Sequence, residues 1–329
     1  MLPPCLVFLG PESGWNAVQL AIGNQARLMH VPSQQEALAA ALGAADGLVD
    51  AAIRVPLTDA MVRAAPRLKV VSCASTGTDH VERGEVDRRG IVVRSLMDSP
   101  DVIRGLTPAA ELSWALVLAC ARKLPAALAH VRDGGWEREK FPGLMLNGRQ
   151  LGLIGCGRIG GWMARYAVAF GMRVVGYDPH CVEWPATIER RSCEELMETS
   201  DIVSVHVPLT TETRGLISAV LLNRIKPGAI LINTSRGAIV DEAALLACLQ
   251  SGRIGAAGLD VLNGEPVVAT HPLVEYARSH DNLLITPHCG GYSPDAVAIV
   301  SAHAASVALT VIRNYQCSPH PSPEPPLSS

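Results

Sequence analysis

The stretch LGLIGCGRIGGWMARYAVAFGMRVVGYD, residues 151–178, decides the fold class. Leu151 to Ile154 is an apolar run of strand length, Trp162 to Phe170 spaces its apolar residues as a helix does, and Arg173 to Tyr177 is a second strand. Between the first strand and the helix lie Gly155, Gly157 and Gly160 in the pattern G-x-G-x-x-G. Gly155 permits a tight turn, Gly157 lets backbone approach a pyrophosphate, and Gly160 lets the helix pack on the strand. Arg158 and Ile159 open the helix, whose first N–H groups are available to phosphates. Asp178 closes the second strand about 20 residues past the glycines, where an acid binds ribose hydroxyls and repels a 2′-phosphate. The segment reads as a dinucleotide grip, and the acid favours NAD over NADP.

Short apolar strands continue downstream at Ile202–Val207, Ala229–Asn233, Ala256–Val261 and Leu283–Ile285, with helices such as Glu242–Gln250 between them. That alternation predicts a doubly wound parallel sheet. Upstream, strands at Leu6–Leu9, Gly47–Ala51, Val70–Cys73 and Ile91–Val93 alternate with helices at Glu36–Ala44 and Thr58–Ala65, without a glycine fingerprint. This second, smaller sheet is assigned to substrate handling. A long apolar helix over 107–124, with Pro108 in its first turn and Glu111 at its positive end, reads as the crossing between the two domains. A polar loop with Gly134, Gly135 and Trp136 follows it. The last helix, from Pro294 to about Asn314, returns to the first domain. The expected division is 1–101 plus 290–314 for the substrate domain and 102–289 for the nucleotide domain. The proline- and serine-rich end, 315–329, is expected to be a disordered tail.

The 329 residues are 48% hydrophobic and 18% charged, enough to bury two cores. A net charge of −3 gives no basic field for nucleic acid, and no block of Lys or Arg addresses an anionic membrane. The richest apolar helical run, Leu112–Ala121, is shorter than the roughly 20 residues a bilayer span needs. The nine cysteines are scattered and include no C-x-x-C pair, so reduced thiols, no metal site and a cytoplasmic setting are expected. The expected partner is a small molecule.

Sheets of this kind bind ligands at the C-terminal ends of their strands. There the sequence places Asn233-Thr234-Ser235-Arg236-Gly237, then Asp260 and Glu265-Pro266, then Thr286-Pro287-His288. Arg236 offers a planar fork suited to a carboxylate or a ketone oxygen. A His paired with a Glu holds its proton to higher pH, which suits His288 beside Glu265 to protonate an alkoxide and, in reverse, to accept that proton.

These motifs, together with His206-Val207-Pro208-Leu209-Thr210, Thr213-Arg214-Gly215-Leu216-Ile217, Lys226-Pro227-Gly228, Val240-Asp241-Glu242 and Gly258-Leu259-Asp260-Val261, resemble the D-isomer-specific 2-hydroxyacid dehydrogenases over roughly residues 45–312. That family includes phosphoglycerate dehydrogenase and glyoxylate or hydroxypyruvate reductases. The resemblance implies an NAD-dependent enzyme that interconverts a small 2-keto acid and its D-2-hydroxy acid. In it Arg236 orients substrate, His288 is the acid/base and Glu265 its partner. It further implies that Pro208 and Thr213 border the adenosine, that Thr234 and Arg236 touch the cofactor, and that Asp260 meets the nicotinamide amide. In the first domain it implies that the backbone amides of Thr76 and Gly77 hold the substrate carboxylate, and it implies a homodimer. Ser75, Glu82 and Ala109 depart from the family pattern, and Arg54 offers a second cation, so the substrate side chain stays open. Two alternatives also stay open: a dinucleotide sensor like the corepressors built on this fold, and a relative that oxidises phosphite.

Overall fold

A computed structural model of the chain describes residues 3–52 and 54–317. The chain divides into two compact units, residues up to 106 with those from 292 onward, and residues 107–291.

In the first unit five strands, β1 (Cys5–Leu9), β2 (Arg27–Val31), β3 (Gly47–Asp50), β4 (Val70–Cys73) and β5 (Val92–Arg94), pair in parallel in the order β2-β1-β3-β4-β5. This is the flavodoxin-like order. Alternation along β1 separates two apolar layers. Val7 and Leu9 pack with Leu38, Leu42 and Leu48, whereas Leu6 and Phe8 face Val18 and Ile22 of the helix Glu12–Ile22 and Ala304, Ala305, Ala308, Leu309 and Ile312 of the last helix. The last helix thus belongs to the first sheet, and it runs from Pro294 through Cys317, beyond the expected Asn314. Residues 318–329 of the expected tail lie outside the described residues.

In the second unit seven strands pair in parallel in the order β12-β11-β10-β9-β6-β7-β8. They are β6 (Gln150–Ile154), β7 (Arg173–Tyr177), β8 (Glu189–Arg190), β9 (Ile202–Val205), β10 (Ala229–Asn233), β11 (Ile254–Leu259) and β12 (Leu283–Ile285). Counted from β6 this is the Rossmann order 3-2-1-4-5-6 with a seventh strand added. The helix Pro108–Arg122 buries Trp114, Leu116, Val117 and Cys120 against Leu151, Leu153, Ile230 and Ile232 of this sheet, so it is part of the second unit's core. Lys123, at φ +50°, breaks it, and a separate helix Leu124–Arg132 comes before the expected loop, whose Gly134, Gly135 and Trp136 lie outside helix and strand. By length and composition the helical stretches Pro100–Arg122 and Pro294–Tyr315 reach what a bilayer span requires, longer than the Leu112–Ala121 run read from sequence; the second is half buried, with Ala304 to Ile312 on the first sheet.

The N-terminal ends of the two sheets are tied by the same device. Asp46 donates its N–H to Cys5 O and accepts Cys5 N–H on its carboxylate at 2.8 Å, with Arg67 on the same group. Asp201 does this for Gln150: its N–H goes to Gln150 O, its carboxylate takes Gln150 N–H at 2.9 Å, and Lys226 and Arg149 pair with it at 2.8 and 3.2 Å. Burial pushes the Asp201 carboxyl up, but Lys226, the Gln150 amide and Arg149 outweigh it and hold the group below its ordinary value of 3.8. Its contribution to stability is therefore present above that value and lost as pH falls through the lower folded one. Asp201→Asn turns an amide donor toward donors and is expected to lower unfolding free energy by about 1.5–3 kcal/mol at pH 7. Denaturant titrations should show the gap between variant and parent closing below about pH 4, as the parent carboxylate also becomes protonated.

Candidate active site

The glycine turn after β6 shows which glycines packing within the protein requires. Gly155 has φ +97°, and a Cβ there would lie 2.7 Å from the backbone C and O of His206. A Cβ on Gly160 would sit 2.2 Å from Gly155 O. Gly157 differs: nothing lies within 4 Å of a Cβ built on it. It is the N-cap of the helix Arg158–Ala169 and supplies no side chain to the first-turn amides. Packing explains two of the glycines, and the third keeps open the face where a pyrophosphate would meet those amides. Asp178, half buried at the end of β7, accepts Cys156 N–H at 2.8 Å and His180 N–H at 2.9 Å, which fixes its carboxylate beside the turn. Burial holds the Arg158 guanidinium below its ordinary value. These residues fit a dinucleotide.

The next strand end supplies a second wall. Pro208 O accepts the Thr213 hydroxyl at 2.6 Å, and Thr210 N–H donates to Thr213 Oγ1 at 2.8 Å, so the segment 208–213 is tied to itself. His206, just after β9, reaches Ser204 Oγ through Nε2 at 2.8 Å, while its Nδ1 is shut from solvent with no hydrogen-bond partner. Burial pushes this imidazole down to about 3, so it is neutral under ordinary conditions.

After β10, Asn233 organises the turn: its Nδ2 donates to Arg236 O at 2.9 Å and its Oδ1 accepts Ser235 N–H at 3.0 Å. Ser235 Oγ donates to Val205 O at 2.8 Å. Arg236 emerges in extended backbone, half buried, with Nη1 on Ser235 O at 2.8 Å. Thr234 pairs with Ser113 at 2.7 Å. Ser113 was not singled out from sequence, although a hydroxyl residue inside the apolar helical run Leu112–Ala121 was the available signal.

Asp260 follows β11 and is 1% exposed. Its carboxylate accepts Thr286 Oγ1 at 2.6 Å, Cys289 N–H at 2.9 Å and Gly290 N–H at 2.7 Å, and its carbonyl accepts His288 N–H at 2.8 Å. These bonds hold His288 at φ +52°, a left-handed backbone uncommon outside glycine. Strained backbone of this sort concentrates at functional sites. The imidazole reaches Glu265 Oε1 through Nδ1 at 2.5 Å, and Glu265 Oε2 accepts Leu262 N–H at 3.2 Å. The two side chains are 21% and 30% exposed, open enough to meet a ligand. Residues 23 positions apart are thus one hydrogen-bonded His–Glu pair, with Nε2 as the imidazole's other nitrogen.

Residues 114–290 match the family model described as "D-isomer specific 2-hydroxyacid dehydrogenase, NAD binding domain". The chain belongs to the D-isomer specific 2-hydroxyacid dehydrogenase family. Among relatives of this 2-hydroxyacid dehydrogenase family member, D-3-phosphoglycerate dehydrogenase of Mycobacterium bovis is 39% identical over 282 residues, 84% of this chain and 51% of that protein. Hydroxypyruvate reductase of Thermotoga maritima is 37% identical over 240 residues, 73% of this chain and 76% of the other. The chain spans about half the length of the phosphoglycerate dehydrogenases it matches. D-lactate dehydrogenase from Aquifex aeolicus, solved with NAD and lactic acid, superposes with a TM-score of 0.81 at 27% identity, covering 94% of this chain and 96% of that one. The matched span takes in the glycine turn, Asp178, Arg236, Asp260, Glu265 and His288, and the domain it describes binds NAD.

Thr76 and Gly77 lie in the first unit, in the turn after β4, where Ser75 Oγ donates to Gly77 O at 2.7 Å. His80 Nε2 contacts the fully buried Asp50 at 3.1 Å and anchors the far end of that turn. Among the described residues no group of three or more His, Cys, Asp or Glu could hold a metal.

Gly157→Ala is expected to leave the melting temperature within about 2 °C while weakening NADH binding at least about tenfold, as read by fluorescence titration. Gly160→Ala should instead lower the melting temperature, because its Cβ meets backbone. Equal effects of the two on stability would contradict this division.

Proposed function

We propose that this protein is an NAD(H)-dependent oxidoreductase that interconverts a small 2-keto acid and its D-2-hydroxy acid. The observation that carries the reading is the His288–Glu265 pair at 2.5 Å, held by Asp260 on the same strand ends as Arg236. When bound, the cofactor supplies or takes up the hydride. Arg236 binds the carbonyl oxygen and carboxylate of the substrate through its guanidinium and keeps one face presented. His288, with Nδ1 committed to Glu265, gives the proton from Nε2 to the oxygen of the nascent alcohol. In the oxidative direction neutral His288 accepts it at Nε2, and the proton on Nδ1 stays with Glu265. Thr234, Pro208, Thr213 and Asp260 are the residues that would hold the bound cofactor, Asp260 at its nicotinamide amide.

The names of the relatives support the substrate class: 3-phosphoglycerate and lactate are 2-hydroxy acids and hydroxypyruvate is a 2-keto acid. The side chain is left to the test. We also propose a homodimer. The helix Leu124–Arg132 has no buried residue, and Leu128, Val131 and Trp136 are 57%, 50% and 85% exposed on one short segment.

Purified protein mixed with NADH and glyoxylate, hydroxypyruvate, pyruvate or phenylpyruvate should oxidise the cofactor with at least one of them. His288→Ala should lower that rate by about 10²- to 10⁴-fold with NADH affinity within a few fold. Retained turnover would remove His288 from the chemistry, and no turnover with any keto acid despite NADH binding would favour a sensor.

Asp178, which would hold the ribose hydroxyls of the bound cofactor, should make NADH the better cofactor by about tenfold or more in kcat/KM, and Asp178→Ser should narrow the gap. Equal efficiency of the unaltered protein with NADH and NADPH would exclude Asp178 as the selector.

A further inference from the structure

Glu265 sits on the loop that leaves β11, and an exposed loop acid does not by itself keep a carboxylate within hydrogen-bond distance of an imidazole. The loop is pinned from beneath. Asn263 N–H, two residues before Glu265, donates to Glu242 Oε1 at 2.8 Å. The other oxygen of Glu242 meets His271 Nε2 at 3.1 Å. Both side chains are largely buried, 14% and 13% exposed. Glu242 is the first residue of the helix Glu242–Gln250, where the positive end of the helix favours its charge. Leu262 and Asn263 also rest on Gly237, at which a Cβ would come within 2.1 Å of their backbone.

The tautomer of His271 follows from its second contact. His271 caps the helix Pro272–Ala277, and its Nδ1 accepts Leu273 N–H at 3.2 Å. Nδ1 therefore carries no proton, Nε2 does, and Nε2–H donates to Glu242. This bond uses one carboxylate oxygen of Glu242 and leaves the other for the loop.

We propose that Glu242 and His271 are a positioning pair that sets the Glu265 carboxylate against His288. The inference rests on the oxidoreductase reading above for its functional consequence. Catalytic groups must be held within about 0.5 Å of their working geometry by neighbours that are themselves locked. Loss of the Glu242 carboxylate removes the acceptor of Asn263 N–H and lets the loop carry Glu265 away from Nδ1.

Three variants separate this role from simple stabilisation. Glu242→Ala removes the anchor. His271→Asn keeps an acceptor for Leu273 N–H but no longer reaches Glu242, whereas His271→Gln reaches Glu242 with an N–H donor and gives up the cap. The primary readout needs no turnover: long-range ¹H–¹⁵N spectra of the His288 ring, assigned by their loss in His288→Ala, recorded at alkaline pH where imidazoles are neutral. In the unaltered protein and in His271→Gln the proton should sit on Nδ1, held by Glu265. In Glu242→Ala and His271→Asn it should move to Nε2, the tautomer a released imidazole prefers. Melting temperatures, measured alongside, should not follow that division.

With a keto acid that the protein reduces, kcat should fall about tenfold in Glu242→Ala and His271→Asn, with KM for NADH within about twofold. Nδ1–H retained in both impaired variants would overturn the proposal. So would loss of Nδ1–H in His271→Gln, or Nε2–H in the unaltered protein, where Glu265 would have nothing to hold. If no keto acid is reduced, the oxidoreductase reading fails, and the ring spectra still decide whether the pair positions Glu265.

Discussion

The carboxylate of Asp260 is the constraint on which the second unit's site depends. A charge removed from water is tolerable only when donors replace the water, and Asp260 finds the Thr286 hydroxyl and the N–H groups of Cys289 and Gly290. Because those donors lie on both sides of His288, satisfying the carboxylate dictates the path of the turn after β12. A left-handed residue other than glycine costs on the order of 1–2 kcal/mol, and here the surrounding bonds hold it. The result is an imidazole directed at Glu265, its place set by a buried acid that it does not touch through its ring.

The two ends of each parallel sheet use carboxylates differently. At the N-terminal ends Asp46 and Asp201 close the sheet, each taking the amide of the neighbouring strand's first residue and a cation from outside. These bonds are all internal and contribute stability. At the C-terminal ends of the nucleotide sheet Asp178 and Asp260 hold turns open in a chosen shape, and Glu265 and Arg236 remain partly exposed. The difference follows from geometry. In a parallel sheet every crossover leaves from the C-terminal edge, so the variable turns gather there while the opposite edge can be sealed.

Support for the His288–Glu265 pair is layered. His288 leans on Glu265 and Asp260, and Glu265 leans on a loop that touches Glu242 and Gly237. Asn233 shapes the turn of Arg236, and Gly237 in that same turn leaves the space into which the Glu265 loop settles. One glycine therefore links the Arg236 turn to the Glu265 loop, through van der Waals contact that admits no side chain.

Much of this was legible in the chain. The glycine turn, Asp178 and the strands flanking them are local patterns, because a turn's φ angles and a strand's alternation are properties of adjacent residues. Arg236, Glu265 and His288 were legible as strand-end residues. Other features were not. The edge strand β2 is half exposed and breaks the apolar pattern, the helix Leu124–Arg132 buries nothing, and strand ends moved by a few residues, as at Ile202–Val205 against the expected Val207. Sequence by itself determined which chemistry-bearing residues stand at which strand ends. Tertiary structure alone decided that Asp260 spends its carboxylate on the His288 turn and that Glu242 and His271 lie beneath the loop. The physical reason is that such bonds join residues more than 20 positions apart, and they exist only once the parallel strands have settled into register and packing has fixed the turns between them.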